Sequence, residues 1–466
     1  MMNRNDLEQD LLECRRLITQ AVTDHPEFSS MEKIRADYLE FLRRCDAVHK
    51  EAQILLVRNI LAIEAELEGL KGQPKTRESS SWISRLEYWK LLLELFFNTF
   101  VWIALGLDRN DVKRIVKGPK YGALKYQNID ETLAWVHEQN KSPDVRAIPL
   151  DFCSFGCVCD VLRITRDPNK GLTRELIELK SGSVNDVIYE TISKGTEEAY
   201  FGFFDKYGDK GIKQMHRVFK QQDVLRRNTE LLGAGRGIYK NPNNPEMHLI
   251  IAEDDKPREY FTETVLRLLE AADKGDFAVD AIDDCLVVGV VNTDNKNRYL
   301  LGEFDLKVFI HGIYVEPHLP NPPTPDELIA NFKQINLREW RQGFGSVLLF
   351  PLPERRLPDK LLMDLLFGRK ALKFFFNSYV FVGLAQRSGI NMKFLSKKAT
   401  GRLKAQGGAR DVVEFDGHAI AVVDEIAEWT LGPGTFDEIF YNWVRPASMI
   451  ESFRGVKYPD FDERAT

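Results

Sequence analysis

No apolar run in this chain of 466 residues reaches the roughly 20 residues that a bilayer-spanning helix needs. The nearest, Leu91 to Leu107, is 17 residues long and carries Glu94 and Asn98, which suits a helix buried in protein. The first residues, Met-Met-Asn-Arg-Asn-Asp-Leu-Glu, are polar and charged, so no secretory leader is expected and the cytoplasm is the expected compartment. Cysteine is scarce. There are six, and three of them, Cys153, Cys157 and Cys159, fall within seven residues. That excludes a disulfide scaffold. Cys14, Cys45 and Cys285 lie far away in sequence, and Cys157 and Cys159 alternate with Val158; packed thiols in a strand explain the trio better than a metal centre. Neither sign of charge dominates, with 64 Lys and Arg against 70 Asp and Glu, a net charge of −6. A histone-like basic protein is excluded, though not a local basic groove. No His-Glu-x-x-His pair and no Gly-x-Ser-x-Gly elbow is present. Gly233-Ala-Gly-Arg-Gly237 follows helical rather than strand-like sequence, the wrong order for a dinucleotide or P-loop site; a helix C-cap and loop is expected there.

What remains is an ordinary globular composition, 44% hydrophobic and 29% charged, long enough for about three structural units. Residues 5–70 read as helix, with an apolar seam at Leu56, Ile60, Ile63, Leu67 and Leu70. That spacing suits packing on the rest of the chain or on a second copy, which makes a homodimer or higher oligomer through the N-terminal helices an expectation. Residues 71–81 are polar, with Gly, Pro and Ser, and read as a linker. A helical block from Trp82 to about Lys117, a basic loop and a helix from Asp130 to about Asn140 follow. Strand signals appear at Ala147–Phe152, Cys157–Thr165 and Glu175–Lys180, then helix from Ser183 to about Leu232 with a break near Gly208. Strand-like runs return at 247–254, 285–293, 299–315 and 346–352, with a proline cluster at 319–327. The expected segments are therefore a helical arm over 1–75, a helical block over 76–124, a core over 125–255 and an α/β region over 256–466.

Phe96-Phe-Asn-Thr-Phe-Val-Trp-Ile-Ala-Leu105 echoes Phe375-Phe-Asn-Ser-Tyr-Val-Phe-Val-Gly-Leu384, with five identities in ten positions. Two buried helices of similar composition, or one duplicated helix, would account for it. A basic tract follows each copy. Residues 387–410 hold seven Lys or Arg and no acid, among them Lys397, Lys398, Arg402 and Lys404, an expected contact to phosphates. Residues 205–240 hold nine bases and four acids, and Lys213, Arg217 and Lys220 fall at spacings of four and three, on one helix face. Residues 241–305 reverse the sign, with 15 acids and six bases, and are not expected to line a nucleic-acid channel.

The chemistry concentrates in Gly156 to Gly182. Read as a β-hairpin, with Asp167-Pro-Asn-Lys-Gly171 as its turn and Asn169 as its midpoint, this stretch sets Asp160 opposite Glu178. Two opposed carboxylates repel, and a divalent cation between them would reverse that sign. Glu178 and Lys180 share a face, while Leu179 points to the core. Hard oxygen donors suit Mg²⁺ or Mn²⁺, and the lysine can hold or deprotonate an attacking water or offset developing charge.

This arrangement resembles the PD-(D/E)XK, or restriction-endonuclease-like, superfamily: an Asp on one strand, a variable hairpin, then acid-x-Lys on the next. The resemblance covers about residues 125–255. It implies that Asp160 and Glu178 hold the metal and that Lys180 serves the hydrolytic water. It also implies a helix, three antiparallel strands, a second helix and a further strand. Relatives often carry a Glu on the preceding helix, where Glu131 and Glu138 are both open, and a Gln or base on the following helix, where Gln214 stands. Cys159 occupies the place of the name-giving Pro, which relatives often lack. The expected fold is α/β, of the α+β kind, with this core between an N-terminal helical region and a C-terminal α/β region. The expected function is a metal-dependent nuclease, on DNA rather than RNA, in keeping by analogy with a microbial defence or DNA-processing effector. The alternative is a nucleic-acid-binding or scaffold protein on an inactive nuclease fold.

Overall fold

The computed structural model describes residues 3–28, 30–72, 76–106, 111–112, 115–119, 129–167, 171–179, 183–232, 237–241, 244–251, 258–275, 277–293, 332–336, 357–407, 412–423 and 428–454. They form a mixture of helices and small antiparallel sheets. Two units divide the chain, Met1–Ala252 with Tyr458–Thr466, and Glu253–Lys457. The expected arm and block, and the expected core as far as Ala252, thus belong to one unit. The expected strands at 299–315 and 346–352 and the proline cluster at 319–327 lie outside the described residues.

The first unit opens with α1 (Arg4–Thr23), α2 (Met31–Ala36), α3 (Tyr38–Leu70) and α4 (Arg77–Ala104). The linker expected over 71–81 is shorter than its composition suggests. Thr76 accepts a hydrogen bond from the Ser79 N–H at 3.0 Å, and the Ser79 hydroxyl accepts from the Thr76 N–H at 2.9 Å. This reciprocal cap starts a helix inside the Ser-rich stretch. Leu56, Ile60 and Ile63 of the seam are fully buried, in a helix packed on α1 and α4 of its own chain. They are therefore not open to a second copy. Residues 91–104 lie in α4, largely buried, and among the described residues no helix is long and apolar enough to cross a membrane.

After β1 (Val116–Pro119), α5 (Ile129–Asn140) leads into β2 (Val145–Pro149), β3 (Phe155–Cys157), β4 (Val161–Asp167) and β5 (Gly171–Ile177). The Asn140 side chain ties α5 to β2, accepting from the Ala147 N–H at 2.7 Å and donating to its carbonyl at 3.0 Å. Strands β2, β4 and β5 form one antiparallel sheet with β4 in the centre. On one face Val136 of α5 packs on Ala147 and Val161, with Trp135, Ile177 and Leu179 around them. Then come α6 (Ser183–Lys194), α7 (Glu197–Leu231), and a hairpin of β6 (Gly237–Asn241) with β7 (Asn244–Ile251). Among the described residues this hairpin pairs only with itself, so the three-stranded sheet gains no further strand from it. The Gly233–Arg236 loop is outside the described set.

The break expected near Gly208 is present. Its φ of 55° and ψ of −155° interrupt α7 in a region open essentially only to glycine. Gly208→Ala should cost about 1–3 kcal/mol for that reason, read as a lower urea midpoint, although a Cβ there would meet nothing within 4 Å. An unchanged midpoint would mean the kink relaxes without strain.

The second unit contains α8 (Thr262–Lys274), β8 (Phe277–Ile282), β9 (Leu286–Asn292), β10 (Phe332–Asn336), α9 (Asp359–Leu366), β11 (Lys370–Asn377) and α10 (Ser378–Arg387). The sheet order is β10-β11-β9-β8, antiparallel throughout. There follow β12 (Met392–Phe394), α11 (Lys397–Gly407), β13 (Glu414–Phe415), β14 (His418–Val423), β15 (Glu428–Thr430), α12 (Pro433–Phe440) and α13 (Pro446–Phe453). Phe376 centres the core, its ring 5.2–5.7 Å from those of Phe381, Phe415, Phe436 and Phe440.

The echo is not a repeated helix. Phe96 to Ala104 lie in α4, but Phe375 to Asn377 end β11, paired with β9, and only Ser378 onward is helical. The asparagines decide it. Asn377 accepts from the N–H groups of Tyr379 and Val380 at 3.1 and 3.2 Å, capping a new helix. Asn98, inside α4, spends its amide across the fold, donating to the Ser154 hydroxyl at 2.7 Å and accepting from the Ser154 N–H at 3.0 Å.

Candidate functional site

The hairpin β4–β5 has the register that its turn implies. Val161 pairs with Ile177, Leu162 with Leu176 and Asp167 with Gly171, all about the midpoint Asn169. Continued by one residue, the register sets Asp160 against Glu178 where the regular ladder ends. The Asp160 N–H donates to the Ile177 carbonyl at 3.1 Å, and the Asp160 carbonyl accepts from Leu150 at 2.7 Å. The Leu179 N–H donates to Asp160 Oδ2 at 2.7 Å. The carboxylate is thus held by the strand that bears Glu178. Both acids lie close to the Cys159 thiol. Burial first, then the negative charge of Glu178 and of Asp160, push that thiol well above its ordinary pKa, so Cys159 is an inert packed thiol, with its Sγ directed at the Val161 carbonyl at 3.5 Å. Leu179 packs toward the α5 face. Lys180 lies outside the described residues.

The other expected site residues take different roles. Glu131 and Glu138 are exposed on α5, whose inward side is Ile129, Thr132 and Val136. Glu138 is bound by Lys141 at 2.5 Å, which holds its carboxyl below the usual range. Neither completes the carboxylate pair, and among the described residues no group of three or more His, Cys, Asp or Glu is gathered to hold a metal. The helical period turns both glutamates to solvent once Thr132 and Val136 face the sheet. Gln214 donates to Asn185 Oδ1 at 3.0 Å and so joins α7 to α6.

The two basic faces differ. On α11, Lys397 meets Asp416 at 3.3 Å and Lys404 meets Glu414 at 2.8 Å. The β13–β14 hairpin thereby neutralises half of that expected contact, leaving Lys398 and Arg402 exposed and, among the described residues, outside any ion pair. On α7, Lys213, Arg217 and Lys220 are all exposed. No acid among the described residues pairs with them, whereas Arg226 and Arg227 are taken up by Asp223 and Glu230.

One group escaped the sequence reading. The sheet face opposite α5 carries the cross-strand row Arg146, Ile164 and Arg174. Arg146 is only 2% exposed. Its Nη1 donates to His49 Nδ1 at 2.9 Å, and its guanidinium lies 5.3 Å from the centroid of the Phe100 ring. Arg174 meets Asp111 at 3.2 Å, and its guanidinium lies 5.9 Å from the centroid of the Tyr38 ring. Tyr38 is pushed up to about 12, by burial above all. Arg166 meets Asp46 at 3.4 Å and donates to the Leu42 carbonyl at 3.0 Å. Gln53 donates to the Ala147 carbonyl at 3.1 Å. These contacts fasten α3 to the sheet that carries Asp160 and Glu178. The one signal in the sequence was Arg146 standing two places from Ile148, which puts a charge on a core face.

His49 makes this joint sensitive to pH. Burial first, and then the Arg146 charge, hold its pKa well below 6.5, against the Ile18 carbonyl, which favours the charged ring. Unfolded, the imidazole titrates near 6.5. Below that pH the unfolded chain binds a proton that the folded chain refuses, so this contribution is present above about pH 6.5 and lost as pH falls. The urea midpoint should drop between about pH 7.5 and about pH 5.5, and drop less in His49→Gln. Equal slopes in the two proteins would remove His49 as the cause.

No protein-family model, no curated protein and no solved structure matches the chain.

Proposed function

We propose that the chain is a metal-dependent nuclease whose centre is the end of the β4–β5 hairpin. The observation that carries this reading is the register that sets Asp160 against Glu178, with Asp160 held by the Leu179 amide. Two opposed carboxylates repel each other, and a divalent cation such as Mg²⁺ or Mn²⁺ between them would reverse that sign. The donor set fits such an ion, since the carboxylate oxygens of Asp160 and Glu178 are hard donors. Bound there, the cation would supply positive charge against a phosphoryl oxygen and a more acidic water. Lys180, two residues from Glu178, would orient the attacking water or take its proton as the P–O bond to the leaving oxygen breaks. The α5–β2–β4–β5–α6 order supports a restriction-endonuclease-like core, and DNA is the favoured substrate over RNA. The exposed bases of α7 would hold phosphates.

A second reading is a nucleic-acid-binding protein on an inactive nuclease fold. What favours it is that the carboxylate pair gains no third described acid while the α7 bases pair with no acid among the described residues. It predicts salt-dependent binding without hydrolysis.

The test is cleavage of mixed DNA and RNA substrates with Mg²⁺ or Mn²⁺, beside Glu178→Gln and Lys180→Ala. Cutting that requires metal and both side chains supports the nuclease. Binding without cutting supports the second reading, and cutting that survives both substitutions refutes the site.

A further inference from the structure

Beside its basic face, α7 carries apolar groups that its core does not use. Beyond Gly208 the helix buries Gly211, Met215, Val218 and Leu225. Each residue turns the helix by about 100°, so Ile212 and Phe219, seven apart, fall on the same side, at the rim of that buried strip. They remain 37% and 41% exposed, among the few large hydrophobics so placed. Lys213 and Lys220 follow about 100° further round the helix, and Arg217 lies beyond them, all three exposed and outside any described ion pair.

We propose that these neighbouring flanks of α7 together bind single-stranded nucleic acid, with the three bases along the phosphates on one flank and Phe219, beside Ile212, against the faces of unpaired nucleobases on the other. The inference deepens the nuclease reading and rests on it for the role of the bound strand. Charge complementarity names a polyanion, and the exposed ring narrows it. A duplex hides its base faces in the stack, whereas a single strand offers them, and stacking on an aromatic ring is the sequence-tolerant way to use them. An anionic lipid surface fits less well. A helix lying in a membrane needs a broad apolar face free for the lipid, and here Met215, Val218 and Leu225 already spend it on the fold.

The experiment is fluorescence anisotropy on the full chain without divalent cation. The probes are an oligothymidylate of about 20 nucleotides, an abasic strand of equal length, a duplex of equal length and phosphatidylserine vesicles. Oligothymidylate should bind about five- to a hundredfold tighter than the abasic strand. Phe219→Ala should remove that advantage while leaving abasic binding unchanged, and Phe219→Tyr should restore it. Changing Lys213, Arg217 and Lys220 together to Gln should weaken both strands and lower the salt slope by about two. Equal loss on both strands with Phe219→Ala, a duplex that binds as tightly as the single strand, preference for vesicles, or no binding at all would overturn the proposal. The two readings fail separately. Phe219-dependent binding with no cutting in Mn²⁺ leaves the interface and removes the nuclease; cutting with a silent Phe219 does the reverse.

Discussion

Glu178→Gln should lose more than about a hundredfold in metal-dependent cleavage while the metal-free protein stays as stable as the parent or gains up to about 1 kcal/mol. The first half follows from the direct metal-ligand role proposed for Glu178, since even partners one step removed from a metal are worth about 10–100-fold. The second half follows from charge. Asp160 and Glu178 are like charges opposed across a hairpin, and that cross-strand repulsion alone is worth roughly 0.2–1 kcal/mol. The amide replacement keeps the shape and removes the repulsion. Thermal melts supply the decisive contrast. Mn²⁺ at about a hundred times its dissociation constant should stabilise the parent by about 2.7 kcal/mol and the variant hardly at all. A parent indifferent to Mn²⁺, or a variant that still cuts, would show that these carboxylates are not the metal site. Loss of activity together with a collapsed melting temperature would point instead to a structural role for Glu178.

Phe100→Ala should be the more damaging change to the fold, costing about 3–5 kcal/mol. The ring is fully buried and stands edge-on to Phe97 at 5.7 Å and to His49 at 5.9 Å. The Arg146 guanidinium lies 5.3 Å from its centroid. It therefore joins α4, α3 and β2 at one point. Truncation opens a cavity and also strips a buried guanidinium of the ring beside it, an interaction worth up to about 2 kcal/mol when desolvated. Arg146 already has Nε and Nη2 without described hydrogen-bond partners, so it has little left to replace the ring. Urea unfolding followed by far-ultraviolet circular dichroism reads the loss, with Phe100→Leu keeping much of the volume and falling well short of it. A cost below about 1 kcal/mol for Phe100→Ala would mean that this joint does not hold α3 to the sheet.

The two effects separate what is local from what is not. The β4–β5 register was legible because a hairpin is local: a turn marked by Asp167, Pro168 and Gly171 sets every pair before it and after it. So was the kink at Gly208, where backbone freedom belongs to one residue. The helical character of 5–70 and of 130–140 was legible from the apolar period, though not the division of the first into α1, α2 and α3, and the start of α4 was hidden only because Thr76 and Ser79 cap by side-chain geometry that composition masks as loop. Tertiary structure decided the rest. Two similar ten-residue segments, identical at five positions, became helix in one place and strand end plus helix in the other, because Phe375 and Phe376 had β9 to pair with and Asn98 had Ser154. Lys397 and Lys404 lost their expected freedom to acids ten or more residues away. Arg146 and His49 met across 97 positions of sequence. Spacing along a chain determines what one element presents; which group answers it depends on a neighbour that only folding brings near.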